Sequence, residues 1–242
     1  HIRRLDSGAY RRQCGAFLCD SPKLVDEALR HGVTVTCMVV SDGVALPESL
    51  SAGVRRVCVP ADVMASISPH RTPQGLLAVC ELPDTAPPAA LAPGRYVILD
   101  GVQDPGNVGT LLRSAAAFGY DLVLLGPGCA APFSPKTLRS SMGAAGRLPV
   151  LHVDDLPATL QGLRARGVAC LATALYNSRP LGEAGQEFPQ GLCVVIGSEG
   201  QGLTDATVAA CDLAVRIPMT DQVESLNAGV AGSVLLWQFR NV

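Results

Sequence analysis

From Arg95 onwards, apolar strand-like runs recur roughly every 25 residues: Arg95–Asp100, Leu122–Leu125, Val150–Val153, Val168–Thr173, Leu192–Ile196 and Leu213–Ile217. Segments of helical period fill the intervals. Among them, the one after Asn107 carries Val108, Leu111, Leu112, Ala115 and Ala116 as one apolar stripe, with Arg113 off the stripe and presented to solvent. Parallel strands need crossovers of about a dozen residues or more, and strands that are apolar throughout are covered on both faces. The spacing therefore predicts an α/β domain built on a mostly parallel sheet. Ligands of such sheets sit outside the carboxyl ends of the strands. Three loops occupy that position: after Leu99, after Ile196 and after Ile217.

The first third of the chain alternates too, on a smaller scale. Residues 1–15 read as a polar helix and Phe17–Cys19 as a short strand. Ser21-Pro22 then supplies an N-cap and first helical position for Lys23–Arg30, which His31-Gly32 ends. Val33–Val40, Arg56–Val59 and Gly75–Glu81 read as strands, with a short helix at Ala61–Ile67. Between Pro83 and Gly94 stand four prolines in twelve residues, which continue neither a helix nor a sheet ladder. The expected division is a small α/β domain over 1–82, a linker over 83–94 and the parallel-sheet domain over 95–242.

Composition removes several classes of function. No run reaches the ~18 uninterrupted apolar residues of a membrane span. The nine cysteines form no CxxC pair and stand near no histidine cluster, which argues against a zinc site or disulfide framework and for a reducing cytosol. With a net charge of −2, any nucleic-acid surface is a local patch. Arg3, Arg4, Arg11 and Arg12 crowd the first dozen residues, either as a solvated helix face or as an edge that tracks phosphates.

The closing stretch, Ile217 to Arg240, reads as a strand end, a polar loop and a helix for which Ser225 is the expected N-cap. Leu226, Gly229, Val230, Ser233, Val234 and Trp237 mark one face. The opposite face (Asn227, Ala228, Ala231, Leu235) is almost as apolar, and no charge occurs between Glu224 and Arg240, so the expectation is a helix buried on most sides. Gly197–Leu203 lacks the Lys and Ser/Thr of a P-loop and does not fit GxGxxG. His31, His70 and His152 neighbour no plausible nucleophile. The chemistry-bearing residues that remain are Asn107 (also read as the cap of its helix), Arg113, Glu199, Ser225 and Asn227. One cation, one carboxylate and several neutral donors suit a polar or anionic substrate and a reaction needing neither metal nor covalent intermediate.

Three of these segments, Asn107–Arg113, Gly197–Leu203 and Ile217–Met219 with Glu224–Ala228, resemble in order and context the three motifs of the SpoU-type RNA ribose 2′-O-methyltransferases of the SPOUT superfamily. Ser140–Ala144 resembles the stretch between the first two motifs, and the match covers residues 95–242. The first domain resembles the family's ribosomal-protein-like RNA-binding domain, with Pro73-Gln74-Gly75 where relatives often carry His-Gln-Gly. The resemblance implies a deep trefoil knot, a homodimer, and S-adenosylmethionine held at Gly197, Ile217 and Leu226, with Thr173 and Met219 beside them. It places Asn107, Arg113, Glu199, Ser225 and Asn227 at the active site. RNA contacts are expected from Arg3, Arg4, Arg11, Arg12, Arg71 and Arg139, without a metal. Ribosomal RNA, the large subunit's in particular, stands ahead of transfer RNA as substrate, in ribosome maturation or antibiotic resistance. The rivals are a non-catalytic RNA-binding paralogue, which would have lost Arg113 or Asn227, and an enzyme of another adenosine cofactor, which would carry GxGxxG.

Overall fold

The computed structural model describes residues 1–48, 50, 53–185 and 188–240. The first segment is two pieces rather than one polar helix. A 3₁₀ turn over Ile2–Asp6 stops at Ser7, whose hydroxyl caps α1 (Gly8–Cys14). After β1 (Ala16–Cys19), Ser21 caps α2 (Pro22–Arg30) through Leu24 N at 3.3 Å, with Pro22 at the first helical position where its missing N–H costs nothing. β2 (Val35–Ser41), β3 (Arg55–Val59), α3 (Ala61–Ile67) and β4 (Leu76–Glu81) complete this part. Its described strands order as β1-β4-β2-β3, with β4 antiparallel to both neighbours and β2 parallel to β3.

The larger sheet is parallel throughout. It comprises β5 (Gly94–Leu99), β6 (Leu122–Leu125), β7 (Val150–His152), β8 (Ala169–Thr173), β9 (Arg179–Pro180), β10 (Gly191–Ile196) and β11 (Leu213–Arg216). Among the described residues the order is β7-β6-β5-β10-β8-β11-β9. Its helices are α4 (Pro105–Ala117), α5 (Pro135–Ser141), α6 (Leu156–Arg164), α7 (Asp205–Ala209) and α8 (Ala228–Gln238). Alternate residues of each strand serve opposite faces. Val97, Leu99, Val123 and Leu125 pack with Leu111 and Leu112 of α4 and Leu235 and Leu236 of α8. Tyr96, Ile98 and Leu124 pack with Leu156, Leu160 and Leu163 of α6. The two-residue β9 had no signature in the sequence. Its Pro180 is tolerated because the strand lies at the sheet edge.

The core does not stop at the proline-rich segment. Phe17, Leu24, Val25 and Leu76 belong to the same hydrophobic cluster as Phe133, Leu138, Ala145 and Leu148, and the rings of Phe17 and Phe133 stand 5.0 Å apart.

Two helix starts differ from expectation. Asp104, not Asn107, caps α4: its Oδ1 accepts from Asn107 N at 3.0 Å, and Pro105 takes the first helical position. Asn227, not Ser225, caps α8, accepting from Val230 N at 3.2 Å. α8 is also less buried than its composition suggested. Ala228, Gly229, Gly232, Leu235 and Leu236 face the core, while Val230, Val234 and Trp237 are 51, 38 and 49% exposed. Its far end is clasped by Arg95, which donates to the carbonyls of Phe239 and, at 2.7 Å, Arg240 while its guanidinium lies 4.6 Å from the Tyr120 ring centre.

Candidate active site

A cavity of about 520 Å³ opens at the carboxyl ends of the adjacent strands β10, β8 and β11, the position a parallel sheet reserves for a ligand. Thr173 ends β8, Gly197 and Glu199 come from the loop after β10, and Ile217, Met219, Ser225 and Leu226 come from the run between β11 and α8. All seven line the cavity. Every residue expected to hold a cofactor therefore borders one space. The loop after β8 contributes Leu175 and Tyr176, exposed on the rim, and these were missed in the sequence although the loop lies at a carboxyl end.

The loop after β10 folds back on itself. Ser198 N donates to Gly202 O at 3.2 Å, Gly202 N returns to Ser198 O at 3.1 Å, and Gly202 has a left-handed φ of 67°. A Cβ at Gly197 would stand 2.6 Å from the carbonyl oxygen of Gly202 and from Leu203 N. What demands glycine there is first the loop's own backbone, before any ligand.

The polar residues gather on the α4 side. Asn107, 9% exposed, donates from Nδ2 to Glu199 Oε1. A Cβ on Gly229 would lie 3.0 Å from Asn107 Oδ1 and 3.1 Å from Asn227 Oδ1, so both amides converge beside α8. The structure thus unites Asn107, Glu199 and Asn227, with Ser225 in the cavity wall. Arg113 is not among them: it is exposed on α4 and outside the cavity lining.

The six arginines expected to bind RNA divide. Arg3, Arg4, Arg12 and Arg71 are exposed, and the Arg4 guanidinium lies 3.9 Å from the Tyr10 ring centre. Arg11 is a correction. It is 5% exposed and donates from Nη1 to the carbonyls of Leu5 and Asp6 at 2.8 Å each, closing the end of the 3₁₀ turn. Its burial lowers its pKa from the ordinary arginine value. Arg139 is engaged within the chain through one nitrogen, Nη1, which lies 2.5 Å from Asp20 Oδ2, and among the described residues the rest of its guanidinium is not so held. Among the described residues, no group of three or more His, Cys, Asp or Glu is placed to hold a metal, and no helix is long and apolar enough to cross a membrane.

Residues 94–237 match the model of the SpoU rRNA Methylase family, and residues 1–78 match that of the MRM3-like substrate binding domain. The 23S rRNA (guanosine(2553)-2'-O)-methyltransferase RlmP of Bacillus subtilis is 36% identical over 241 residues, covering 98% of this chain and 94% of the relative. The crystal structure of an AdoMet-bound rRNA methyltransferase from Sinorhizobium meliloti superposes with a TM-score of 0.88 at 27% identity, covering 99% of this chain and 92% of that one.

Proposed function

We propose, from the premise that this chain belongs to the SpoU rRNA methylase family, that it transfers the methyl group of S-adenosylmethionine to a ribose 2′-hydroxyl of ribosomal RNA. The observation that carries the reading is the meeting of Asn107, Glu199 and Asn227 beside the cavity. They come from three separated segments, and no packing need explains a buried amide held to a carboxylate there.

The cavity fits the cofactor on its own terms. Its volume lies within the ~300–1,000 Å³ of small-molecule sites. Ile196, Ile217, Leu226 and Leu235 offer an apolar wall for a flat ring, and Thr173, Glu199 and Ser225 offer polar groups for the remainder. S-adenosylmethionine supplies, when bound, a sulfonium methyl that needs neither metal nor covalent intermediate to become transferable. The task left to the chain is to place the ribose in line and to stabilise charge on its oxygen. Asn107 and Glu199 fix one another and so fix the ribose-facing edge. The Arg113 guanidinium offers N–H donors and no acceptor, so its part is to donate. It acts by stabilising the developing alkoxide and gripping the neighbouring phosphate with its planar fork.

Because Arg113 lies outside the cavity of its own chain, we read the working unit as a homodimer in which Arg113 serves the partner's cavity. The exposed apolar row Val230, Val234 and Trp237 on α8 supports this, being the kind of surface that a second copy covers. In the same reading residues 1–82 hold the RNA through Arg3, Arg4, Arg12 and Arg71, 83–94 connect, and 95–242 form the knotted methyltransferase domain of a cytoplasmic enzyme. The test is primer-extension mapping of 2′-O-methyl sites on ribosomal RNA incubated with S-adenosylmethionine, with and without the protein. A new stop at one nucleotide is expected. Its absence on both ribosomal subunits' RNA, with methyl transfer to transfer RNA instead, would overturn the substrate assignment.

A further inference from the structure

Asp20 follows β1 directly and is 1% exposed, yet it is not buried among its own domain's partners alone. Its Oδ2 lies 3.3 Å from His70 Nε2, in the loop before β4, and 2.5 Å from Arg139 Nη1, on α5 of the larger domain. Its Oδ1 is buried with no hydrogen-bond partner among the described residues. As a device for stability this is poor. A buried carboxylate loses much of its hydration, the Coulombic return often fails to offset that, and apolar residues of similar volume commonly do as well. The seam already has such packing in Phe17 against Phe133. What an ion pair adds is register, because it holds only one alignment of the two sides.

Both ends of the contact lead to function. On one side, His70 precedes the exposed Arg71. On the other, Arg139 is 36% exposed, and only its Nη1 bonds a described residue, leaving other N–H donors of the fork at the surface. The next residue, Ser140, donates to Pro105 O at 3.1 Å, and a Cβ on Gly109 would stand 2.7 Å from Thr137 O, so α5 and α4 are locked together. α4 carries Asn107 and Arg113. A continuous set of contacts thus runs from the 68–74 loop through Asp20 and α5 to the candidate site.

We propose that Asp20 is a positioning residue: it orients Arg139 at the domain seam so that the free donors of the guanidinium meet an RNA phosphate, in register with the loop bearing Arg71. The inference rests on the RNA-methylating reading above, but its test separates the two. Full-length wild type, Asp20→Asn, Arg139→Gln and the double variant are compared in steady-state methylation of ribosomal RNA, in RNA binding by fluorescence anisotropy and in calorimetric binding of S-adenosylmethionine.

Each single variant should raise the KM and Kd for RNA about tenfold, as for one lost charge-assisted contact, with kcat and cofactor affinity within about twofold. The double variant should be no worse than either single one, because both break the same element. Arg139→Lys, which keeps the charge and one bond, should recover part of the loss, and it keeps the test decisive if Asp20→Asn does not fold. Unchanged RNA affinity in Asp20→Asn beside a defect in Arg139→Gln would show that Arg139 acts alone and overturn the role of Asp20. Additive effects, or RNA affinity equal in all four proteins, would overturn it as well. So would a joint fall of kcat and cofactor affinity, which would mark mere disruption. A wild type that methylates no ribosomal RNA would sink the functional reading instead, leaving the binding comparison to decide the joint.

Discussion

The side-chain amide of Asn107 donates to the carboxylate of Glu199 across 92 residues of chain, fastening the first turn of α4 to the loop after β10. Glu199 lines the cavity, so the bond ties the buried Asn107 to the edge on which the ribose is expected to lie.

Arg113→Ala is expected to fold normally, within about 0.5 kcal/mol of wild type, because the side chain is exposed and the apolar stripe of α4 is complete without it. Single-turnover methylation should fall roughly 10²–10³-fold, as for loss of an oxyanion donor, with cofactor affinity unchanged. Arg113→Lys should rescue poorly, since a point charge does not replace the fork. A folded Arg113→Ala protein with near-native turnover would remove the residue from the mechanism.

Gly197→Ala should do more than narrow the cavity. The added carbon meets the Gly202 and Leu203 backbone, so the loop must move, at a cost of about 1–3 kcal/mol for overpacking. Thermal unfolding and calorimetric cofactor binding should both weaken. A normal melting temperature with lost cofactor affinity would mean that the ligand, not the loop, is the first thing the side chain strikes.

Val234→Asp places a charge in the middle of the exposed row on α8. Light scattering at micromolar concentration should show a dimer for wild type and a monomer for the variant. Little change in the monomer's own stability is expected, because Val234 is 38% exposed. A wild type that is already monomeric would count against the two-chain site.

The N-cap of α4 makes a prediction about pH. The Asp104 carboxyl is held below its ordinary pKa first by the hydrogen bond from Lys136, at 2.9 Å, and then by the backbone N–H of Asn107. A lowered folded-state pKa means that the contribution is present above the unfolded value, ~3.9, and is lost as pH falls through the folded one. Urea midpoints should therefore be flat in this respect from pH 7 to 5 and decline below about pH 4. Asp104→Asn keeps a capping side chain without the charge, so its acid decline should be shallower. Parallel curves for the two proteins would show that Asp104 has no such role.

The larger sheet was legible because strands buried on both faces are continuous apolar runs, which few other structures produce. The helix start at Ser21 was legible for a local reason, a hydroxyl followed by proline. The starts of α4 and α8 were harder, because Asp104 competes with Asn107, and Ser225 with Asn227, and all four residues cap well. The turn of the backbone decides between them, as Pro105 does for Asp104. Periodicity was also unable to tell a core face from a face for another copy, since both are apolar, and so Val230, Val234 and Trp237 read as buried. Arg11 and Arg139 resemble the other arginines in sequence, and only the fold shows that a carbonyl pair and Asp20 engage them. The site residues of the three motifs lie too far apart in the chain for spacing to join them, and their meeting follows from the strand order.

The clasp of Arg95 on the carbonyls of Phe239 and Arg240 closes loops of 144 and 145 residues. Contacts of such sequence separation are slow to form, because chain entropy is lost before they return anything. Arg95 should therefore engage after the folding barrier has been crossed. Its removal would leave the refolding rate nearly unchanged and hasten unfolding, so the arginine acts as a latch on the lifetime of the native protein rather than as a guide to reaching it.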